Sequence, residues 1–199
     1  MNKTYLALGD SYTIGEAVEQ SQSFPYQLSS KLNGAGIKTE KPEIIATTGW
    51  TTAELIAAIK QRNIQKKFDL VTLLIGVNNQ YRGYSQETYR AEFRELLNTA
   101  IDYANGNLKN VYVVSIPDWG VTPFAQNSGR DIQKISDEID QFNAINKEET
   151  AARGITYIDI TPESRKAKTD VSLVASDGLH PSGKMYEYWA EQLKIAIAK

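Results

Sequence analysis

The sequence of 199 residues contains no cysteine and only one histidine. Without cysteine there is no disulfide framework, no thiolate nucleophile and no cysteine-based metal site. The single histidine, with no dense group of acidic residues at ligand spacing, also predicts that the protein has no zinc site. Any chemistry that needs an imidazole must therefore use His180.

Excess basic charge and long apolar runs are also missing. The net charge is −2 and the calculated pI is about 5.6, so nothing indicates binding to nucleic acid. No apolar run approaches the roughly 20 residues that cross a bilayer, and we expect no stable membrane insertion. The N-terminal residues lack the apolar centre of a signal peptide. As written, the sequence predicts a cytoplasmic protein, or a secreted or periplasmic one if a signal peptide was removed; the oligomeric state stays open.

Hydrophobic residues make up 41% of the sequence, which is enough for one domain over residues 1–199. Five short aliphatic runs, typical of buried parallel strands, occupy residues 5–8, 43–46, 70–75, 111–116 and 155–158. Stretches with helical spacing alternate with them at residues 25–32, 52–64, 85–103, 131–153 and 182–198. This alternation predicts an α/β fold, a flavodoxin-like three-layer α/β/α sandwich with a five-stranded parallel sheet.

Two connections are longer than usual, residues 76–84 and 117–130. Each follows a predicted strand, and loops that follow parallel strands lie at the carboxyl edge of the sheet, where ligands bind. The organisation of the chain therefore predicts the position of a site at this edge.

Three of the predicted strands are followed by residues that suit acyl transfer. Ser11 comes just after the first strand, and its hydroxyl becomes a nucleophile when a neighbouring base takes its proton. Gly49 follows the second strand and can present an unobstructed backbone N–H. Asn78 follows the third strand, and its side-chain N–H can donate to a developing oxyanion. Singly, each residue is also explained by a turn.

The base that such a serine needs is available in the last loop. Histidine is a versatile general base near neutral pH, and Asp177 stands three residues before His180, where it can orient the ring. Asp118, at the end of the fourth strand, is a second candidate for this acid. Together, the four segments indicate acyl transfer through Ser11.

These residues resemble the four sequence blocks of the SGNH hydrolases, also called GDSL esterases and lipases. The matching segments are Gly9-Asp10-Ser11, Gly49, Gly76-Val77-Asn78 and Asp177-Gly178-Leu179-His180. The resemblance covers the whole chain and implies a flavodoxin-like fold and ester hydrolysis without a cofactor. It implies that Ser11, Asp177 and His180 are catalytic. It also implies an oxyanion hole made by the Ser11 and Gly49 backbone N–H groups and the Asn78 side chain.

Two residues depart from the pattern of the family. Tyr12 stands where the family name has leucine, and we expect this change to touch the wall of the pocket rather than the chemistry. Asn79 stands where many members have aspartate, which removes a charge that often supports the loop.

The substrate is expected to be a small-molecule ester with an acetyl or a short-to-medium acyl group. Aromatic residues in or beside the edge loops are Trp50, Tyr81, Tyr84, Trp119 and Phe124. Trp50, Tyr81 and Trp119 are the candidate substrate-binding residues, against the alternative that such aromatics hold the loops on the core. Arg82 and Arg130 are candidates to meet a phosphate or a carboxylate of the substrate. A lysophospholipase or thioesterase with the same mechanism stays open.

Two other interpretations compete with a serine esterase. In the first, Asp10 is the nucleophile of a phosphotransfer enzyme, which would want Mg²⁺ and further carboxylates at the edge of the sheet. In the second, the chain is a non-catalytic ligand-binding module on the same scaffold. A broken set of catalytic residues would favour the module, and a group of carboxylates would favour Asp10.

Overall fold

The carboxyl ends of five parallel strands form one edge in the computed structural model, which describes residues 2–199. The strands are β1 (Tyr5–Gly9), β2 (Glu43–Ala46), β3 (Leu70–Leu74), β4 (Val111–Val114) and β5 (Thr156–Ile158). Their order in the sheet is β2-β1-β3-β4-β5. Every residue of β1, β3 and β4 is buried, as expected for strands that are covered on both faces. The predicted five-stranded parallel sheet is confirmed.

Helices cover both faces of the sheet and complete the predicted α/β/α sandwich. Five are long: α2 (Phe24–Gly34), α3 (Thr52–Arg62), α5 (Gln86–Tyr103), α7 (Ile132–Ala151) and α9 (Gly183–Ile197). Four are short: α1 (Ser11–Ile14), α4 (Val77–Tyr81), α6 (Pro123–Asn127) and α8 (Thr161–Ser164). The two long connections are therefore partly helical, because α4 lies in the first and α6 in the second. Within residues 2–199, none of the helices has both the length and the apolar character to cross a membrane.

Side-chain caps explain where several helices begin. Thr51 and Glu54 form a reciprocal capping box at the start of α3. Ser85 accepts a hydrogen bond from the Thr88 N–H at the start of α5, and Ser182 caps α9 in the same way. These caps fix the points at which the chain leaves an edge loop and enters a helix.

The strand order decides which loops meet. Because β1 lies between β2 and β3, the segment that follows β1 is flanked by the segments that follow β2 and β3. These are the segments that contain Ser11, Gly49 and Asn78. The last loop reaches the same edge before α9, since His180 contacts Ser11.

Candidate active site

Ser11 is the first residue of α1, directly beyond the end of β1. Asp10 caps this helix by accepting a hydrogen bond of 3.0 Å from the Tyr12 N–H. A side chain on Gly9 would collide with neighbouring atoms, because its Cβ would lie 2.1 Å from the Thr13 Oγ1 and 2.5 Å from the Leu74 carbonyl oxygen. Glycine is therefore required for α1 to pack this closely on the sheet, and this packing holds Ser11 at the edge.

Ser11, His180 and Asp177 are joined by hydrogen bonds. The His180 Nε2 lies 3.0 Å from the Ser11 Oγ, and the His180 Nδ1 lies 2.5 Å from the Asp177 Oδ2. The other carboxylate oxygen of Asp177 accepts the backbone N–H groups of Leu179 (2.9 Å) and His180 (3.0 Å). Partial burial raises the pKa of Asp177, but the hydrogen bonds from the His180 ring and from the two backbone groups hold it below its ordinary value. An ionised Asp177 can therefore keep the imidazole in one orientation.

Asp118 is engaged elsewhere. It is buried, and its Oδ2 accepts a hydrogen bond of 2.9 Å from the Arg165 Nε. Its Oδ1 accepts the Gly120 N–H at 2.8 Å. The structure thus brings Asp177, and not Asp118, into contact with the imidazole.

Gly49 and Asn78 lie beside Ser11 in the wall of one pocket. The backbone of Gly49 has a φ of +85°, a conformation that L side chains rarely adopt. The Asn78 Nδ2 donates a hydrogen bond of 2.9 Å to the Trp50 carbonyl oxygen. This bond uses one of the two amide hydrogens of Asn78, and the other is left for a ligand.

Asn79 is completely buried and joins α4 to the start of α3. Its Oδ1 accepts the Thr52 N–H at 3.0 Å, and its Nδ2 donates to the Thr52 Oγ1 at 2.7 Å. Aspartate could accept the first bond but could not donate the second. The Thr52 hydroxyl also bonds to the Glu92 carboxylate. The amide of Asn79 therefore supports the loop at the position where many SGNH hydrolases have an aspartate.

The pocket next to Ser11 has a volume of about 200 Å³. Its lining residues are Ser11, Tyr12, Thr48, Gly49, Val77, Asn78, Tyr81, Trp119, Phe124, Leu179 and His180. Tyr81 and Trp119 are in this wall, and their role in substrate binding stays a prediction. Trp50 differs from the expectation: it packs against the core and is not among the described residues that line the pocket. Trp50 contributes to the site through its backbone instead, because its carbonyl oxygen accepts the Asn78 amide.

Sequence reasoning did not find three of the lining residues, Thr48, Val77 and Leu179. Each is the direct neighbour of a predicted site residue along the chain. Their position next to a predicted site residue is the one sign in the sequence that they line the pocket, because valine, leucine and threonine have no side-chain chemistry that marks a site.

Arg82 and Arg130 are not among the described residues that line the pocket. The Arg130 guanidinium is 4.0 Å from the centre of the Tyr81 ring, and it donates a hydrogen bond of 3.1 Å to the Tyr81 carbonyl oxygen. Arg82 donates to the Gly49 carbonyl oxygen at 2.6 Å. Both side chains therefore contact residues of the pocket wall.

Asp10 is fully buried and does not line the described pocket, so a substrate in the pocket does not reach its carboxylate. One of its oxygens, Oδ2, finds no hydrogen-bond partner within residues 2–199. Burial raises the pKa of Asp10 from 3.8 to about 7. In the described part of the chain, no three acidic or histidine residues lie close enough together to hold a metal ion. These observations do not favour Asp10 as a nucleophile.

We expect Asp10→Asn to stabilise the protein above neutral pH. Between pH 3.8 and about 7 the folded state binds more protons at Asp10 than the unfolded state, so this group lowers the free energy of unfolding as pH rises. Asparagine keeps the acceptor for the Tyr12 N–H but carries no charge. At pH 8 the gain is on the order of 2–4 kcal/mol, and at pH 4 it disappears.

Urea unfolding of both proteins from pH 4 to pH 8 measures this difference. Asp137→Asn, on an exposed residue of α7, serves as the control. Parallel stability profiles for the wild type and Asp10→Asn would contradict the assignment of a raised pKa to Asp10.

Comparisons with known proteins find one family and several solved structures to which this chain is similar. The sequence model of the GDSL-like lipase/acylhydrolase family matches residues 7–188. A multidomain esterase from Ruminococcus flavefaciens is 28% identical in an alignment of 133 residues that covers 63% of this chain. The aligned region is only 16% of that longer protein.

Solved structures with the same fold cover nearly the whole chain. TesA superposes with a TM-score of 0.73 at 17% identity and covers 98% of each chain. An acetylxylan esterase from Geobacillus stearothermophilus superposes with a TM-score of 0.72 at 17% identity, over 99% of this chain and 94% of its own. At this level of identity the likeness concerns the fold.

Proposed function

The chain belongs to the GDSL-like lipase/acylhydrolase family, and from this premise we propose that it is a serine esterase with Ser11 as nucleophile. Its substrates are carboxylic esters with acetyl or short-to-medium acyl groups. The observation that carries the proposal is the connection from Asp177 through His180 to Ser11, with distances of 2.5 and 3.0 Å, at the wall of an open pocket.

The reaction proceeds by two displacements. The Ser11 Oγ attacks the ester carbonyl carbon while the His180 Nε2 takes its proton, and Asp177 accepts the hydrogen bond from the Nδ1–H of the resulting imidazolium. The tetrahedral intermediate then breaks its bond to the alcohol oxygen, which receives the proton from His180. Water attacks the acyl-enzyme in the same way, and the acid leaves with Ser11 restored.

Three N–H donors stabilise the negative oxygen of the tetrahedral intermediate: the backbone groups of Ser11 and Gly49 and the side chain of Asn78. All three residues line the same pocket. Donors fixed in advance around a developing charge supply a large share of the rate enhancement in such sites. The bond from Asn78 to the Trp50 carbonyl oxygen fixes the amide in advance.

The shape of the pocket supports the choice of substrate. A volume of about 200 Å³ with aromatic and aliphatic walls suits a short or medium apolar group. Tyr81 and Phe124 are about two-fifths exposed at its mouth, so the far side of the substrate faces solvent. Long acyl chains would extend beyond these walls.

The test is the hydrolysis of p-nitrophenyl acetate, butyrate, octanoate and laurate, with and without EDTA. We expect turnover that EDTA does not affect and that is fastest for the shorter esters. A fluorophosphonate probe is expected to label Ser11, which peptide mass spectrometry identifies. A preference for laurate would favour a lysophospholipase or thioesterase. No turnover of any ester, together with no labelling, would contradict the proposal and favour a binding module.

We expect Asn78→Ala to lower kcat by a factor of about 10²–10³, with little change in KM, because the lost donor acts mainly on the transition state. Steady-state kinetics with p-nitrophenyl acetate measures the split. Asn33→Ala is the control, since the Asn33 side chain makes three hydrogen bonds, against one for Asn78, but lies outside the described pocket lining. An equal loss in both variants would indicate damage to the fold and not to the oxyanion hole.

A further inference from the structure

The loop of residues 47–51, between β2 and α3, is held from three sides; we call it the oxyanion loop. The Thr48 hydroxyl bonds to the Glu16 carboxylate. The Trp50 carbonyl oxygen accepts the Asn78 amide at 2.9 Å. Between them, the Gly49 carbonyl oxygen accepts the Arg82 Nη2 at 2.6 Å. Two successive backbone carbonyl groups of this loop thus accept hydrogen bonds from side chains. Asn78 of α4 donates to Trp50, and Arg82, the C-cap of α4, donates to Gly49.

Arg82 connects the segments that contain Gly49 and Asn78, two of the three proposed oxyanion donors. It caps the C-terminus of α4, where its backbone N–H donates to the Asn78 carbonyl oxygen at 3.0 Å. Its side chain crosses to Gly49, which is 33 residues earlier in the chain. One residue therefore joins the backbone of Asn78 to the backbone of Gly49.

We propose that Arg82 is a positioning residue that sets the Gly49 N–H relative to the Asn78 amide. This inference rests on the proposed function, because it gives Arg82 a role only if both groups bind an oxyanion. The side chain of Arg82 is not among the described residues that line the pocket, so it acts through Gly49 and not on the substrate.

Gly49 needs such a restraint. At a φ of +85° and without a side chain, its backbone can take up several conformations that turn the neighbouring peptide groups away from the pocket. A bond at its carbonyl oxygen fixes the ψ angle and hence the direction in which the loop continues. A Cβ on this residue would lie in ordinary van der Waals contact with the Arg82 Nη2, at 3.8 Å.

The guanidinium is itself held at its other end. The Arg82 Nη1 lies 3.4 Å from the Glu54 Oε2, and Glu54 accepts the Thr51 N–H at 2.7 Å within the capping box of α3. The hydrogen bond from that N–H is the main cause that lowers the pKa of Glu54, and the nearby Arg82 adds to it. A planar guanidinium suits this position, because it can donate to two acceptors in a fixed geometry.

The expected effect is on the transition state. Displacing an oxyanion donor by a fraction of an ångström weakens its bond to the intermediate, and we expect Arg82→Ala to lower kcat by a factor of about 10–100 with little change in KM. An ion pair as exposed as Arg82 and Glu54, at 41% and 44%, contributes little to stability. The variant is therefore expected to fold.

The experiment compares the wild type with Arg82→Ala, Arg82→Lys and Arg62→Ala on p-nitrophenyl acetate. Arg62 is the matched control, because it also donates to a backbone carbonyl, that of Ile44, at 3.0 Å. We expect Arg62→Ala to behave as the wild type and Arg82→Lys to keep an intermediate kcat. Methylguanidinium at millimolar concentration is expected to restore part of the kcat of Arg82→Ala, which a general loss of fold would not allow.

The outcomes separate the two proposals. An unchanged kcat in Arg82→Ala, in a wild type whose activity depends on Ser11, would overturn the positioning role and leave the esterase intact. A loss without rescue by either methylguanidinium or lysine would also overturn it. If the wild type hydrolyses no ester, the proposed function fails and the role of Arg82 fails with it.

Discussion

Replacing Ser11 by alanine is expected to lower kcat for ester hydrolysis by a factor of about 10⁴–10⁶, as in other serine hydrolases. The methyl group cannot form the acyl-enzyme, so both displacements are lost. The variant keeps the backbone N–H of residue 11 and the other donors, which accounts for the residual rate. Stability is expected to change by no more than about 1 kcal/mol, because the Ser11 hydroxyl makes one hydrogen bond, to His180.

The measurement is kcat on p-nitrophenyl acetate, together with labelling by the fluorophosphonate probe. Ser29→Ala is the matched control: Ser29 is also buried, but its hydroxyl donates to the Glu40 carbonyl oxygen. We expect the control to retain activity and labelling. Activity that survives in Ser11→Ala would remove Ser11 from the mechanism and return attention to Asp10.

The second large effect is expected at His180. His180→Ala is predicted to lower kcat by about 10⁴–10⁶, because it is the only histidine in the chain and no second imidazole can take the proton of Ser11. Binding of the ester is expected to change less, since the aromatic and aliphatic walls of the pocket remain.

A double variant makes this prediction sharper. Residues that act as one unit show non-additive losses, so Ser11→Ala with His180→Ala is expected to be no slower than either single variant. The comparison of kcat for the three proteins is the measurement. If the two losses multiplied, Ser11 and His180 would act independently, and the proposed proton transfer between them would be wrong.

Most of the fold could be predicted because it follows from local patterns. Each of the five aliphatic runs matches an observed strand to within two residues at either end, and the long helices lie within or close to the predicted stretches. The short helices α4 and α6 were not predicted, since five residues give too little periodicity to distinguish a helix from a loop.

The position of the site could be predicted from the rule that parallel strands end at one edge. That rule requires only that the strands be parallel, and it places Ser11, Gly49 and Asn78 at one edge; that they are neighbours there follows from the order β2-β1-β3 in the sheet. Which side of a loop an aromatic residue faces depends on the path of the backbone. The place of Trp50 in an edge loop predicts that it lines the pocket, but its side chain packs against the core. The sequence alone does not give the backbone path that decides between the two.

The bonds that support the site were beyond sequence reasoning. Arg82 reaches Gly49 over 33 residues, and Asn79 reaches Thr52 over 27 residues. Neither pair has a spacing that indicates contact, because the partners lie on separate elements that only the folded chain brings together. For this reason the sequence alone indicates that Asn79 supports the loop less well than aspartate. In the structure, both the oxygen and the nitrogen of its amide are hydrogen-bonded to Thr52.

The hydrogen bond between Ser11 and His180 joins segments that are 169 residues apart. It depends on α9, which follows His180 and packs on α2 through Phe24, Tyr186 and Trp189. Such long-range contacts form slowly, because the entropy of closing a long loop must be overcome before they contribute. A folding intermediate with a complete sheet but an undocked α9 would hold the nucleophile without its base. The proposed hydrolysis therefore requires both ends of the sequence to be in place, and its appearance during refolding would report the docking of α9.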